Sequence, residues 1–228
     1  MKMFRTLFTL LMMLPLAMDA QEVNDLLNKL RVKLEKVNSY EAEGIMKTNV
    51  SFLKVPDALV KVYYKRPDHL KISNEHGISL IPKSTAAISL NGLLSGKYTA
   101  IDAGLENLDG TRVKVIKLLP LDEQADVVLS TIYIDESRLL IIRAKTTTKD
   151  DGTYEVDLKY GKYSNYGLPD QVSCHFNTKD YKLPKGVTFD YDDGSRKPAK
   201  PGPANDKGLV EIRYRSYLIN DPIPKGVF

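Results

Sequence analysis

Side chains able to make and break bonds are few in this chain and poorly spaced for it. There are three histidines, His69, His76 and His175, and one cysteine, Cys174. His69 and His76 lie seven residues apart, unlike the short helical spacing that lets two imidazoles share a zinc ion. A three-histidine site would have to be gathered from separate strands, and exposed strand and turn histidines are the simpler expectation. No Gly-x-Ser-x-Gly elbow is present, and the local sequence suggests no Cys/His catalytic pair. Gly186, Gly194 and Gly208 are isolated turn glycines, so no phosphate-cradling loop is visible. Asp190, Asp192 and Asp193 crowd one turn, and Asp150-Asp151-Gly152 reads as a hairpin turn in preference to calcium ligands. The expectation is therefore no enzyme activity, no metal and no cofactor.

The conspicuous polar residue is Arg66. It stands in the run Ala58-Leu-Val-Lys-Val-Tyr-Tyr-Lys-Arg-Pro-Asp-His-Leu-Lys-Ile72, which reads as a strand that stops at Arg66-Pro67 and restarts as a second strand. Proline cannot donate to a sheet ladder and biases the preceding residue toward extended geometry, so Pro67 fixes the break. Arg66 is then either a surface cation at a strand end or a guanidinium on the rim of an apolar space. In the second case its five donors could hold the carbonyls of a lid, and ligand entry would break those bonds.

The elements that must position these residues begin with a leader. Lys2 and Arg5 precede the apolar stretch Leu7–Leu16, broken by Thr9 and Pro15, and Ala17-Met-Asp-Ala20 offers small residues for cleavage. Residues 1–20 are read as a signal peptide, cut after Ala20, with a cut after Ala17 left open. With no cysteine near its end, the leader does not mark a lipoprotein of the usual amino-terminal kind. Residues 21–228 are expected to form a single domain, since all-β units run to ~200–250 residues. One cysteine allows no internal disulfide, and a buried, inert thiol on a strand is the expectation for Cys174. With 33 basic and 29 acidic residues interleaved along the chain, there is no basic stripe to track phosphates, which argues against nucleic acid.

Val23, Leu26, Leu27, Leu30, Leu34 and Val37 fall on one face of a helix that Asn38-Ser39 should end. Most of the rest has strand character: Tyr40–Lys54, Ala58–Lys65, Leu70–Ser73, Gly77–Ile81, Lys97–Ile101, Thr111–Leu118, Val127–Ile134, Leu139–Thr147, Tyr154–Tyr163, Gln171–Asn177 and Leu209–Ile219. Residues 104–110 read as the turn between two of these strands. Alternation such as Val210, Ile212 and Tyr214 against Glu211, Arg213 and Arg215 marks an antiparallel sheet with one wet face. Ser84–Leu94 is a short helix or apolar loop, and residues 192–208 are a loop rich in Pro, Gly and Lys. The fold class is thus mostly β (α+β), with roughly nine to eleven strands around an amphipathic helix and one weak helix. A sheet that wide with so little to fill it makes an apolar cavity plausible.

Three stretches together resemble the LolA-like family of periplasmic lipoprotein carriers. Val62-Tyr-Tyr-Lys-Arg-Pro-Asp-His-Leu-Lys71 is similar to that family's strand, Lys-Arg-Pro and next strand. Lys117-Leu-Leu-Pro120 followed by Ile132-Tyr-Ile-Asp135 is similar to its central strands, and Tyr217–Phe228 to its last strand and tail. The resemblance implies an incomplete antiparallel barrel lidded by helices, with Arg66 holding the lid closed and Leu93 and Leu94 in lid-like sequence. The chain departs from the family after Ile81: the aromatic-rich segment is missing, and there is no tryptophan anywhere.

The function so implied is that of a periplasmic monomer that sequesters the acyl chains of lipoproteins or lipids and carries them toward the outer membrane. Arg66, Pro67, Leu90, Leu93, Leu94, Phe52, Val62 and Tyr64 are the expected ligand-binding residues. The implied partners are an acylated cargo, an inner-membrane transporter as donor and an outer-membrane acceptor. Two rival readings fit the same residues. One is an envelope sensor or protein-interaction domain on the same fold, marked by a filled interior. The other is a hydrolase, which would need His69, His175 and carboxylates to meet in one cleft.

Overall fold

The computed structural model describes residues 14–50, 53–54, 56–74, 90–150, 152–177 and 207–228. Helix α1 (Leu14–Leu34) comes first. Strands β1 (Ser39–Val50), β2 (Leu53–Lys54), β3 (Ala58–Lys65) and β4 (His69–Asn74) follow, then a short helix α2 (Leu90–Ser95). The chain continues through β5 (Tyr98–Leu108), β6 (Thr111–Pro120), β7 (Val127–Asp135), β8 (Leu140–Thr148) and β9 (Thr153–Lys159). A 3-10 turn at Ser164–Tyr166 precedes β10 (Gln171–Asn177) and β11 (Lys207–Ile219).

All strands join one antiparallel sheet in the order β4-β3-β1-β11-β10-β9-β8-β7-β6-β5, with the stub β2 paired to β1. Among the described residues strands β4 and β5 are its two edges, and the sheet is not closed. From β5 to β11 each strand pairs with its neighbour in sequence, as short antiparallel connections dictate. Strand β1 pairs with β3 on one side and with β11 on the other, which brings the first and last strands together.

Side-chain alternation decides which face is inner. In β3, Ala58, Val60, Val62 and Tyr64 are buried while Leu59, Lys61 and Lys65 are exposed. The inner face is filled by α1, whose Val23, Leu26, Leu27, Leu30 and Leu34, with Val37 just beyond its end, are all buried. They join Met46, Ile116, Ile132, Ile134, Ile141 and Val156 in one core. This is the helical stripe that the sequence spacing predicts. Its regular part ends at Leu34, and Val37 is carried inward by the turn that follows. The Asn220 side chain closes that turn: its amide donates to the Lys36 carbonyl (2.9 Å) and its oxygen accepts from the Asn38 N–H (2.7 Å).

Strand β5 departs from the sequence expectation. Residues 104–110 are not all turn; the strand runs on to Leu108, with a register break between Asp102 and Leu105 where Gly104 takes a positive φ. The turn itself is only Asp109-Gly110, both at positive φ, as a tight hairpin of matching twist requires. A bulge uses glycine within a strand, so a glycine read as a turn can be a strand irregularity instead. The expected strand Gly77–Ile81, the residue Phe52 and most of the 192–208 loop lie outside the described residues.

Candidate functional site

Two adjoining recesses flank α2. The larger, about 500 Å³, opens between α2 and the β5–β7 end of the sheet and is lined mainly by apolar groups, among them Leu93, Tyr98, Leu118, Pro120 and Val127. Its volume falls within the ~300–1,000 Å³ of small-molecule sites. Ser130 also lines it, but its hydroxyl is spent on Thr146 Oγ1 at 3.0 Å. Lys97 and Asp122 also stand in the lining, but among the described residues no buried side-chain polar atom lacks a partner, so the inner wall offers a guest mainly apolar surface.

The smaller recess, about 250 Å³, lies between the last turns of α1, the β3–β4 turn and α2, and is lined by Arg31, Leu34, Glu35, Tyr64, Arg66, Pro67 and Leu94. Four of the residues expected from sequence, Tyr64, Arg66, Pro67 and Leu94, meet here. Tyr64 is deeply buried at its base, with its hydroxyl donating to the Pro67 carbonyl (3.1 Å) and its ring stacked on Tyr40 (centroids 5.2 Å apart). Val62 is 1% exposed and packed in the core; it lines neither recess. Leu93 belongs to the larger recess and Leu94 to the smaller, so α2 is the partition between them. Leu90 begins that helix.

Arg66 follows β3, at a cis bond to Pro67. Its guanidinium reaches the end of α1: Nη1 to the Glu35 carbonyl (3.4 Å) and Asn38 Oδ1 (3.5 Å), and Nη2 to Glu35 Oε1 (3.2 Å). These are long contacts, and the Arg66 and Glu35 side chains are 40% and 46% exposed. The cation that reaches α2 is a different one. Arg31, on α1, donates from Nη2 to the Leu94 carbonyl (3.3 Å) and to the Tyr98 hydroxyl (2.9 Å), while Nη1 meets Asn28 Oδ1 (3.2 Å). Arg31 thus ties α1, α2 and the start of β5 at one point. The sequence alone does not single out Arg31, since a cation beside an apolar helical stripe looks like any solvated side chain. The signal was its position four residues after Leu27 and three before Leu34, on the flank of the apolar stripe.

The chemistry that a hydrolase would need is dispersed. His175 contacts Asp157 (3.3 Å), which also holds Arg143. His69 lies on β4, against the ring of Phe228, and three strands separate β4 from β10. Among the described residues no group of three or more His, Cys, Asp or Glu side chains is placed to hold a metal ion. Cys174 is buried in the core, and burial pushes its thiol up to about 12, away from the thiolate that would react.

An open antiparallel sheet wrapped on an amphipathic helix, with a short second helix over an apolar recess, is a LolA-like fold. Comparison with solved structures agrees. The chain superposes on a putative outer membrane lipoprotein-sorting protein domain from Vibrio parahaemolyticus with a TM-score of 0.58 at 9% identity, covering 90% of this chain and 95% of that one. It superposes on a DUF1329 family protein from Desulfovibrio piger with a TM-score of 0.57 at 13% identity, over 90% and 95% of the two chains. For a LolA superfamily protein from Nitrosomonas europaea the TM-score is 0.51 at 11% identity, over 88% and 96%. No family model matches the sequence, and no curated protein is significantly similar to it.

Proposed function

We propose that this protein is a carrier for acyl chains, of lipoproteins or of free lipids, in the bacterial periplasm. The observation that carries the reading is the mainly apolar recess of about 500 Å³ beside α2, whose wall includes Leu93, Tyr98, Leu118, Pro120 and Val127. Sequestration there is hydrophobic: each buried methylene contributes ~0.8 kcal/mol, so a chain needs no chemistry to be held and a tighter cavity elsewhere suffices to withdraw it. Helix α2 acts as the lid and Arg31 as its tether, with Arg66 bracing the end of α1 against the β3–β4 turn. The leader-like segment Lys2–Ala20 and the family resemblance support passage to the periplasm. An inner-membrane donor and an outer-membrane acceptor are the partners such a route requires.

The test is native mass spectrometry of protein purified gently from the envelope, with extraction of whatever is bound, alongside titration with a fluorescent fatty-acyl probe. A stoichiometric acylated species, displaced by the probe, is the expected result. A bare mass with no probe binding would leave the sensor or interaction domain as the better reading.

A further inference from the structure

We propose that the smaller recess is a headgroup site: it takes the anionic, phosphate-bearing end of an amphiphile whose acyl chain lies in the apolar recess beyond α2. The inference rests on the carrier reading and adds to it the class of lipid preferred. Two guanidiniums, Arg31 and Arg66, line a single recess whose other walls are Leu34, Tyr64, Pro67 and Leu94, with Glu35 its one carboxylate. The two recesses adjoin through named atoms. Arg31 lines the cationic one and bonds the Tyr98 hydroxyl, while Tyr98 lines the apolar one. An apolar recess on one side of α2 and two guanidiniums on the other, meeting at the Arg31–Tyr98 bond, match a molecule with a tail at one end and a negative charge at the other once α2 gives way.

The existing bonds show how an anion would enter. Arg66 spends its donors on contacts of 3.2 to 3.5 Å, the strongest of them to Glu35 Oε1. Glu35 is nearly half exposed, so its carboxylate can swing into water at small cost while a phosphate takes the same fork in bidentate geometry. Arg31 has an Nε–H that none of its bonds above engages. The α1 C-terminus opposes an anion with about half a negative charge, but two guanidiniums outweigh it even before Glu35 leaves. A phosphate monoester in solution shares this chemistry, and the acyl chain is what separates the two sources.

Calorimetric titrations of the mature protein with 1-lauroyl-lysophosphatidylglycerol, monolauroylglycerol and inorganic phosphate decide the matter. The anionic lipid should bind about tenfold more tightly than the neutral lipid with the same chain, a factor within reach of one charge-assisted hydrogen bond. That ratio should fall toward one in Arg66→Gln and in high salt, and rise in Glu35→Gln, which removes the competing carboxylate. Glu35→Gln also decides the point if Arg66→Gln fails to fold. Equal affinity for the two lipids in the wild type would overturn the headgroup site and leave the carrier reading standing. Inorganic phosphate binding as tightly as the anionic lipid would show a free-phosphate site instead. Binding of none of the three would overturn both readings.

Discussion

Arg31 and Arg66 carry the same charge and face the same recess, yet their surroundings assign them different work. Arg66 meets the end of α1 through long, exposed contacts; Arg31 makes a 2.9 Å bond to Tyr98 and reaches the Leu94 carbonyl from a half-buried position. A hydrogen bond from a charged donor contributes ~1.5–3 kcal/mol when shielded, and much less when both partners face water. The sequence marked Arg66, because a cation beside a strand-ending proline is conspicuous. It did not mark Arg31, because a cation on the flank of an amphipathic helix looks like any solvated lysine until a second helix lies against it. Cys174 was legible from its setting alone: it alternates with Val172 and Phe176 on a strand, and all three are buried. Its thiol, raised to about 12 by burial, should resist a maleimide at pH 7 in the native protein and react fully in denaturant. Stoichiometric labelling of the folded protein within minutes would contradict the packing of β10.

At the scale of elements, periodicity told most where one face is wet and one dry. Strands β3 and β9 and the stripe of α1 are of that kind, because their buried residues repeat at a regular spacing. The β5–β6 hairpin was less legible: a bulge breaks the alternation, and Asp102 and Lys114, both polar, lie on the inner face opposite and beside Ile116. They form an ion pair, with the side chains only 27% and 12% exposed. Burial works to raise the Asp102 carboxyl, but the Lys114 ammonium and the Gly104 N–H prevail and hold it below the ordinary value; Lys114 is raised in turn by Asp102. A depressed carboxyl stabilises the fold above its unfolded pKa of about 3.9 and loses that contribution as pH falls through the folded value. A raised lysine contributes below about 10.4 and loses it as pH climbs through its folded value. Between these limits the pair is intact. Urea unfolding at pH 7 and pH 3 should therefore show the wild type losing more stability on acidification than Asp102→Asn, by ~1 kcal/mol. Equal losses in the two proteins would mean that the pair adds nothing to the fold.

On the scale of the whole molecule, the two helices have unequal stakes in the sheet. Helix α1 buries an entire apolar stripe against the inner face, so its amides can exchange only when the core opens, at a free energy near that of global unfolding. Helix α2 spans Leu90–Ser95, with Leu94 buried but Leu93 half-buried over the larger recess. A helix of that length is not stable by itself, and its hold on the body includes the bond from Arg31 to its carbonyl end. Local opening of α2 should then cost far less than unfolding and leave α1 and the sheet intact, which is the condition for loading a cavity without dissolving its walls. Amide exchange should accordingly be fast in residues 92–98 and slow in the Leu26–Leu34 part of α1, in β1 and in β11. Arg31→Gln should accelerate exchange in residues 92–98 about tenfold, as loss of ~1.4 kcal/mol requires, with no comparable change in β1 and β11. A saturating acyl probe should slow the same α2 amides, because ligand bound to the closed form weights that form by mass action. If Arg31→Gln instead accelerates exchange uniformly across α1, α2 and the sheet, the arginine is a support of the whole core, and α2 does not move as a separate lid.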